Sequence, residues 1–281
     1  MARIEGLLRL MRPLNCIVMS LAVLVGASLT GLGNLQSINM VFGALTAFTL
    51  TGAAMAANDY YDFEIDKINE PNRPIPSGQI SLKASLVITA ILTLTGLSFA
   101  FMISLYCLIF AMAAWTIMVT YTTIGKRSGF PGNLLVSACV AAPFLFGSLV
   151  AVNTVMINIL LFASMAFLSN IGREITKGIV DIEGDRQHRI KTLAVVFGSK
   201  KAALAATIFF ILAVWLSPIP LILDIVSIWY IPFVLVTDVG LLWCSVSILK
   251  NPERENSRKI KKTVLFLFIF GLLSFNFGIL G

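Results

Sequence analysis

Nine long stretches of apolar residues run through the chain, and their length restricts the folds available to it. Each stretch is close to the roughly 20 residues that an α-helix needs to cross a bilayer. The chain is 58% hydrophobic and only 12% charged, whereas a soluble domain is about half apolar and about 25% charged. The stretches lack the alternation of barrel strands, and open sheets cannot satisfy their backbone in lipid, so helical spans are predicted. The spans are predicted near residues 14–32, 37–57, 82–101, 103–123, 133–151, 154–172, 202–220, 227–249 and 263–280.

Positive charge is confined to one set of connections between these spans. All 21 Lys and Arg residues lie in the N-terminal segment or in the connections that follow the second, fourth, sixth and eighth spans. Positive residues favour the cytoplasmic side of a membrane, so nine spans place the N-terminus in the cytoplasm and the C-terminus outside. We therefore expect a multi-pass protein of the cell membrane, with a single membrane-embedded domain over residues 1–281. Two cytoplasmic loops, about 58–82 and 173–201, are long and carry both charge signs, and they are the expected active-site loops.

The few histidines and cysteines of the chain limit the kinds of metal site that it can form. The chain has one histidine, His188, and four cysteines that form no CxxC pair and fall inside apolar runs. We interpret the cysteines as small buried side chains. A divalent metal would therefore be held by oxygen ligands, which favours magnesium, calcium or manganese. The net charge of +7 suits anionic lipid headgroups and anionic substrates, and no nucleic-acid partner is expected.

Two short acidic clusters lie in the two long loops. In the first, Asn58, Asp62 and Asp66 are spaced by four residues, which stacks them along one face of a helix. In the second, Asp181 and Asp185 have the same spacing. Like charges at this spacing repel one another unless cations lie between them. Magnesium is typically held by one or two carboxylates together with substrate phosphates. The clusters are therefore interpreted as half-sites that grip a diphosphate through metal ions and make it a good leaving group.

Cationic and aromatic residues near the same face are candidates for binding phosphate oxygens. One of them, Arg73, lies in NEPNRPIPSG, where three prolines and a glycine exclude a regular helix and predict an ordered loop. Arginine suits bidentate phosphate contact and lysine acts as a point charge. Salt bridges to the acids, topology signals and, for the tyrosine, an interfacial position are the alternatives. The candidates are Arg73, Tyr121, Lys126, Arg127, Arg173 and Lys177.

The acidic clusters resemble the paired motifs of the UbiA superfamily of intramembrane prenyltransferases. NDYYDFEID, from Asn58 to Asp66, fits the first motif, NDxxDxxxD, and DIEGD, from Asp181 to Asp185, fits the second, DxxxD. The resemblance implies a prenyl diphosphate held by two Mg²⁺ ions, a lipid-like acceptor, and nine helices in one bundle around a central chamber. The metal ligands that it implies are Asn58, Asp62, Asp66, Asp181 and Asp185, and the catalytic acids are Asp59, Asp62, Asp66, Asp181 and Asp185.

Two longer stretches, NEPNRPIPSG and REITKGIVDIEGDRQHRIKTLAVVFG, are similar to the archaeal geranylgeranyltransferases of this superfamily. That similarity implies transfer of a geranylgeranyl group from geranylgeranyl diphosphate to the hydroxyl of geranylgeranylglyceryl phosphate, which forms the second ether bond of archaeal membrane lipid. Lys177, Arg186 and Arg189 are candidates for the acceptor's phosphate by location, and Asp59, Asp62 or the diphosphate for the hydroxyl proton.

Two alternatives to this function stay open at the level of sequence. One is a prenyltransferase of the same superfamily with a chlorophyllide-like acceptor or an aromatic quinone precursor. The other is a divalent-cation transporter, because rows of acids fit cation transport as well. Transporters usually hold their ions near the membrane midplane, whereas the acidic clusters lie at one face.

Overall fold

The computed structural model describes residues 2–187 and 189–279, and within these ranges the chain forms α-helices joined by turns, with no β-strand. Short 3₁₀ turns lie at Leu32–Asn34 and Gly125–Arg127. The α-helices in chain order are α1 (Ala2–Met11), α2 (Pro13–Ser28), α3 (Ser37–Tyr61), α4 (Phe63–Asn69), α5 (Leu82–Ile103), α6 (Leu105–Thr123), α7 (Phe130–Val152), α8 (Ile157–Val180), α9 (Ile182–Gln187), α10 (Leu193–Phe197), α11 (Ser199–Leu216), α12 (Ile219–Ile222), α13 (Tyr230–Lys250) and α14 (Arg254–Gly278).

Most of these helical residues belong to elements that can cross a membrane. In the described part of the chain, eight helices are long and apolar enough, or nine if α1 and α2 form one bent span. Their faces expose large apolar side chains such as Leu94, Trp215 and Val239, which suits contact with lipid rather than water. The prediction of an all-helical, multi-pass membrane protein is therefore confirmed. The count of nine spans and the orientation of the termini stay predictions.

The bend between α1 and α2 measures 44° and lies at Arg12. The backbone of Arg12 has φ 52° and ψ 68°, in the left-handed region, which costs a non-glycine residue roughly 1–2 kcal/mol. Pro13 follows, and a proline disfavours the helical conformation in the residue before it. The chain changes direction at this point because a regular helix cannot continue through Arg12.

Helix boundaries agree with the predicted spans at two connections that the sequence predicts to be very short. Ser104 alone separates α5 from α6, and residues 153–156 separate α7 from α8. α3 and α8 extend beyond their predicted spans, to Tyr61 and Val180, whereas α2 ends at Ser28, before the predicted end of its span at residue 32. The expected active-site loops, 58–82 and 173–201, therefore begin inside helices. A helix can continue into a polar stretch because its backbone hydrogen bonds do not require apolar side chains.

The chain divides into two compact units, and the first comprises residues 1–123 and 143–155. Within this unit, α2 packs closely against the last turns of α7. A Cβ atom on Gly26 would overlap the backbone of Phe144. Small residues let two helix backbones approach in a membrane protein, so Gly26 sets the spacing between α2 and α7.

The second unit comprises residues 124–142 and 156–281. Its core is formed by apolar side chains of α8, α11, α13 and α14, which include the fully buried Ile175, Phe210, Ile248 and Val264. This core holds the C-terminal half of α8, where the second acidic cluster begins.

Candidate active site

The first acidic cluster straddles a junction between two helices. Asp62 joins α3 to α4 with φ −86° and ψ 0°, so its ψ differs by about 40° from that of a regular helix while the residue stays in the right-handed region. Its N–H donates to the carbonyl of Asn58 at 2.9 Å, and the N–H of Asp66 donates to the carbonyl of Asp62 at 2.8 Å. The one-turn spacing of these three residues is thereby kept across the junction.

Two carboxylates of this cluster are buried and paired with arginines. Asp59 is 1% exposed and Asp66 is 4% exposed. Arg73 donates to Asp66 at 2.5 Å and to Asp59 at 3.4 Å, while Arg12 donates to the same oxygen of Asp59 at 2.7 Å. Burial raises the pKa of Asp66 above its ordinary value, although Arg73 acts in the opposite direction and Asp62 adds to the rise. Arg73 is thus an ion-pair partner of the cluster, as the salt-bridge alternative predicted.

The segment NEPNRPIPSG that carries Arg73 is held in place by apolar packing and by a hydrogen bond from α1. Ile75 and Ile80 are buried against α1 and α3 residues of the first unit. Arg9 of α1 donates to the backbone carbonyl of Asn72 at 2.8 Å. The prediction of an ordered, non-helical segment is confirmed, and its order fixes the position of the guanidinium of Arg73.

The amide of Asn58 is fixed by a residue of α6. The hydroxyl of Thr122, itself buried, donates to the amide oxygen Oδ1 of Asn58 at 2.8 Å. Tyr121 precedes it on α6, near the cytoplasmic end of the predicted span, and is partly buried. Thr122 therefore orients a side chain that the motif assigns to metal binding.

The second acidic cluster repeats the local geometry of the first. α8 ends at Val180, Asp181 forms the junction with φ −102° and ψ 11°, and α9 follows at once. The N–H of Asp185 donates to the carbonyl of Asp181 at 2.8 Å. In each cluster, two motif aspartates thus lie one turn apart at the start of a short helix. They are Asp62 and Asp66 at α4, and Asp181 and Asp185 at α9.

Asp185 lies in a partly buried setting of mixed charge. Burial and the neighbouring Asp181 raise the pKa of Asp185 to about 6. A hydrogen bond from the side chain of Thr192, together with the charges of Lys177 and Lys126, acts in the opposite direction. The predicted phosphate ligand Lys126 is therefore close to the predicted metal ligand Asp185.

Gly129 allows the turn that carries Lys126 to pack closely against the chain near Thr192. Gly129 has φ 73°, which only glycine adopts readily, and a Cβ atom on it would overlap the carbonyl group of Lys191. The turn around Lys126 thus lies directly against the chain beside Thr192. Arg127, the next residue, is exposed.

A buried glutamate organises the end of α8. Glu174 is 8% exposed and accepts from Arg173 at 2.7 Å and from Lys177 at 3.1 Å. Lys261 of α14 interacts electrostatically with these three residues and with Asp181. Two predicted phosphate ligands are thus engaged with Glu174, and α14 contributes a third cation beside them.

The predicted site residues fall into two groups, one in each unit. The first unit brings together Asn58, Asp59, Asp62, Asp66 and Arg73, and the second brings together Lys126, Arg173, Lys177, Asp181 and Asp185. Within the described residues, no group of three or more His, Cys, Asp or Glu side chains is arranged to hold a metal by itself.

Sequence reasoning missed four residues of these groups. Arg12 and Lys261 were assigned to membrane topology, and Thr122 and Glu174 had no assigned role. Only Arg12 has a local signal, because an arginine directly before a proline marks a break in the helix.

Comparison with known proteins places these motifs in a family. The chain matches the UbiA prenyltransferase family over residues 19–272. It is 36% identical over 273 residues to the digeranylgeranylglyceryl phosphate synthase of Methanosphaera stadtmanae, covering 97% of this chain and 98% of that protein. The synthase of the same name from Pyrococcus abyssi is 34% identical over 279 residues, covering 99% and 98% of the two chains.

Solved structures give the same result at the level of fold. A structure from work on the biosynthesis of digeranylgeranylglyceryl phosphate synthase in membranes has a TM-score of 0.82, 30% identity and 99% coverage of both chains. A UbiA homologue from Archaeoglobus fulgidus bound to DMAPP and Mg²⁺ has a TM-score of 0.74 at 18% identity, covering 96% of this chain and 99% of that chain. The chain belongs to the UbiA prenyltransferase family.

Proposed function

We propose that the chain transfers a geranylgeranyl group from geranylgeranyl diphosphate to the hydroxyl of geranylgeranylglyceryl phosphate, forming the second ether bond of archaeal membrane lipid. The observation that carries this proposal is the similarity, over nearly the full length of both chains, to digeranylgeranylglyceryl phosphate synthases at 34–36% identity. The acidic half-sites of the two units are consistent with it, because both have the same local geometry.

The donor atoms of the half-sites fit magnesium. Carboxylate oxygens and the amide oxygen of Asn58 are the hard ligands that Mg²⁺ prefers. Burial raises the pKa of both Asp66 and Asp185 and so disfavours their charged forms. A cation beside either carboxylate would act in the opposite direction and favour the charged form. Mg²⁺ commonly keeps water and substrate phosphate as ligands beside one or two carboxylates, so each half-site would need to supply only some of its ligands.

We assign the metal ligands as the sequence predicts. Asn58, Asp62 and Asp66 would hold one Mg²⁺ ion, and Asp181 and Asp185 a second. When bound, Mg²⁺ neutralises diphosphate oxygens and so makes diphosphate a better leaving group. The DMAPP and Mg²⁺ bound by the Archaeoglobus fulgidus homologue support this choice of metal and substrate class.

Two basic residues are best placed to bind the diphosphate. Arg73 lies beside Asp66 on an ordered segment, and Lys126 lies near Asp185. Arginine can grip two phosphate oxygens at once, and lysine supplies a point charge. Tyr121 and Arg127 stay candidates for the same substrate group on the strength of their sequence positions.

In the reaction that we propose, the bond between C1 of the prenyl chain and the diphosphate oxygen breaks. The acceptor's hydroxyl oxygen then bonds to C1, and the hydroxyl proton leaves. Asp59 is buried between Arg12 and Arg73, so we assign it to positioning Arg73. Asp62, which is only partly buried at its helix junction, or the departing diphosphate itself would then take the proton.

We further propose the architecture that the family resemblance implies. The two units would form one domain over residues 1–281, with nine spans in one bundle around a central chamber and the half-sites at its cytoplasmic end. This arrangement would keep water from the reacting C1 atom. Membership of a prenyltransferase family weighs against cation transport, and no structural observation favours it.

The test is a turnover assay with purified protein, labelled geranylgeranyl diphosphate, geranylgeranylglyceryl phosphate and Mg²⁺. We expect a labelled product with two ether chains, which disappears when a chelator is added. Product formed only with an aromatic or chlorophyllide-like acceptor would refute the assignment of the acceptor and leave the enzyme class standing. No product with any of these acceptors would refute the proposed function.

A further inference from the structure

We propose that Arg173, Lys177 and Lys261 form a binding subsite for a phosphate monoester, and that this subsite takes the phosphate of the acceptor. The inference rests on the proposed function, because it supplies that function's acceptor with a headgroup site. Sequence alone favoured Lys177, Arg186 and Arg189 by location, whereas the structure favours a cluster that includes α14.

The net charge of this cluster favours a ligand that carries a phosphate. Glu174 is the buried carboxylate that Arg173 and Lys177 share, and Lys261 interacts with all three of these residues. If Asp181 is engaged with metal, three cations face one carboxylate, and the cluster has two positive charges in excess. A phosphate monoester carries close to two negative charges near neutral pH, so it matches this excess.

Arg173 also carries a hydrogen-bond donor that is not satisfied. Arg173 uses Nη1 for Glu174, while its Nε atom is buried and has no hydrogen-bond partner among the described residues. A buried N–H without an acceptor costs free energy, and such groups are rare in native proteins. A phosphate oxygen is the kind of acceptor that the Nε edge of a guanidinium binds well.

The cluster of Arg173, Lys177 and Lys261 is also held in a fixed position. Arg173 and Lys177 lie one turn apart on α8, and both are tied to the buried Glu174. α14 and α8 are packed together in the core of the second unit. Arg186 and Arg189, by contrast, are exposed, and neither has a comparable buried anchor in the described part of the chain.

If these residues bind the acceptor's phosphate, removing one of them should lower activity only with an acceptor that carries a phosphate. We would compare the Lys261→Gln protein with wild type on geranylgeranylglyceryl phosphate and on its dephosphorylated alcohol. We expect kcat/KM to fall about 10-fold or more with the phosphorylated acceptor, the loss typical of one charged hydrogen bond, mostly through KM. With the alcohol, kcat/KM should be unchanged, and so should the KM of geranylgeranyl diphosphate.

The matched control is Lys262→Gln, which removes the same charge from the next, exposed residue of α14 and should behave as wild type. Lys261→Arg keeps the charge and should restore most of the activity, which separates loss of the subsite from misfolding. Binding of geranylgeranylglyceryl phosphate without donor, measured by calorimetry in detergent, should weaken about 10-fold in Lys261→Gln, and this readout does not depend on turnover.

Three outcomes would overturn the subsite. They are an equal loss with both acceptors, a raised KM for geranylgeranyl diphosphate, and unchanged binding and kinetics in Lys261→Gln. Failure of the proposed function has a different signature, because wild type itself would then neither bind nor use geranylgeranylglyceryl phosphate.

Discussion

The hydroxyl of Thr122 donates a 2.8 Å hydrogen bond to the amide oxygen of Asn58. These residues lie 64 positions apart in the sequence, on α6 and at the end of α3. An amide oxygen has two lone pairs, so Asn58 can accept from Thr122 and still bind a metal ion. The bond fixes which way the amide of Asn58 points.

Replacing Thr122 by valine should therefore weaken metal binding without removing a ligand. Loss of a partner that orients a metal ligand typically costs 10–100-fold in affinity or activity. We expect the Mg²⁺ concentration for half-maximal activity to rise about 10-fold in Thr122→Val, measured by titrating Mg²⁺ at saturating substrates.

The adjacent Thr123 provides the control for this change. Its hydroxyl donates to the backbone carbonyl of Val119 at 2.7 Å, within its own helix, and the side chain is exposed. Thr123→Val should leave the Mg²⁺ requirement unchanged. An unaltered requirement in Thr122→Val as well would contradict a role for Thr122 in holding Asn58.

Arg12 should matter for activity although it lies outside both motifs. It donates to the buried carboxylate of Asp59 at 2.7 Å, and a hydrogen bond between charged groups is worth about 1.5–3 kcal/mol. Without it, we expect Asp59 to interact more strongly with Arg73, which would draw Arg73 away from Asp66. We expect Arg12→Ala to lower kcat/KM about 10-fold or more, in assays that vary the prenyl diphosphate.

A lysine at the same end of the membrane-spanning region tests whether charge alone explains such an effect. Lys83, at the start of α5, is exposed and was assigned to topology in the same way as Arg12. Lys83→Ala should retain wild-type kcat/KM. If Arg12→Ala is equally active, Arg12 serves membrane topology, as the sequence suggested.

The buried carboxylate of Glu174 should stabilise the fold. Glu174→Gln keeps the shape of the side chain and removes the buried negative charge that Arg173 and Lys177 share. Both cations are partly exposed, so we expect a loss of about 1–3 kcal/mol, seen as a lower thermal midpoint in detergent. Glu183→Gln, at an exposed position of α9, is the control, and equal midpoints for both variants would refute the stabilising role.

The motif geometry was accessible from sequence because it depends on local spacing. Residues four apart share a helix face, and the hydrogen bonds from Asp66 to Asp62 and from Asp185 to Asp181 follow that rule. The ordered segment around Arg73 was predictable for the same reason, since its prolines act on their immediate neighbours.

The contacts that tie these motifs to the rest of each unit were not accessible. Arg12 and Asp59 are 47 residues apart, and Lys261 approaches Glu174 from a helix far along the chain. In a single sequence, such residues resemble the other basic residues that mark the cytoplasmic side. Which of them pairs with a buried acid depends on helix packing, and periodicity does not determine that.

The proposed orientation predicts opposite accessibility for two exposed positions. Lys67 lies on α4 beside the first acidic cluster, and Asp224 lies in the turn after α12. Single cysteines placed at these positions should react with a membrane-impermeant maleimide from opposite sides, with Lys67→Cys labelled only in inside-out vesicles. Cys16, Cys107 and Cys244 are buried and Cys139 is partly buried, so wild type measures the background. Labelling of both positions from one side would refute the topology.

We propose above all that the two half-sites act together on one diphosphate. The most direct test is the rate of Mg²⁺-dependent diphosphate release from geranylgeranyl diphosphate and acceptor in Asp62→Ala and in Asp185→Ala. Because each change removes a proposed oxygen ligand of the metal that would stabilise charge on the leaving group, we expect at least about a 100-fold loss in both proteins. Glu64→Ala and Glu183→Ala, at exposed acids within the same stretches, should stay near the wild-type rate. Wild-type turnover in either aspartate variant would contradict the claim.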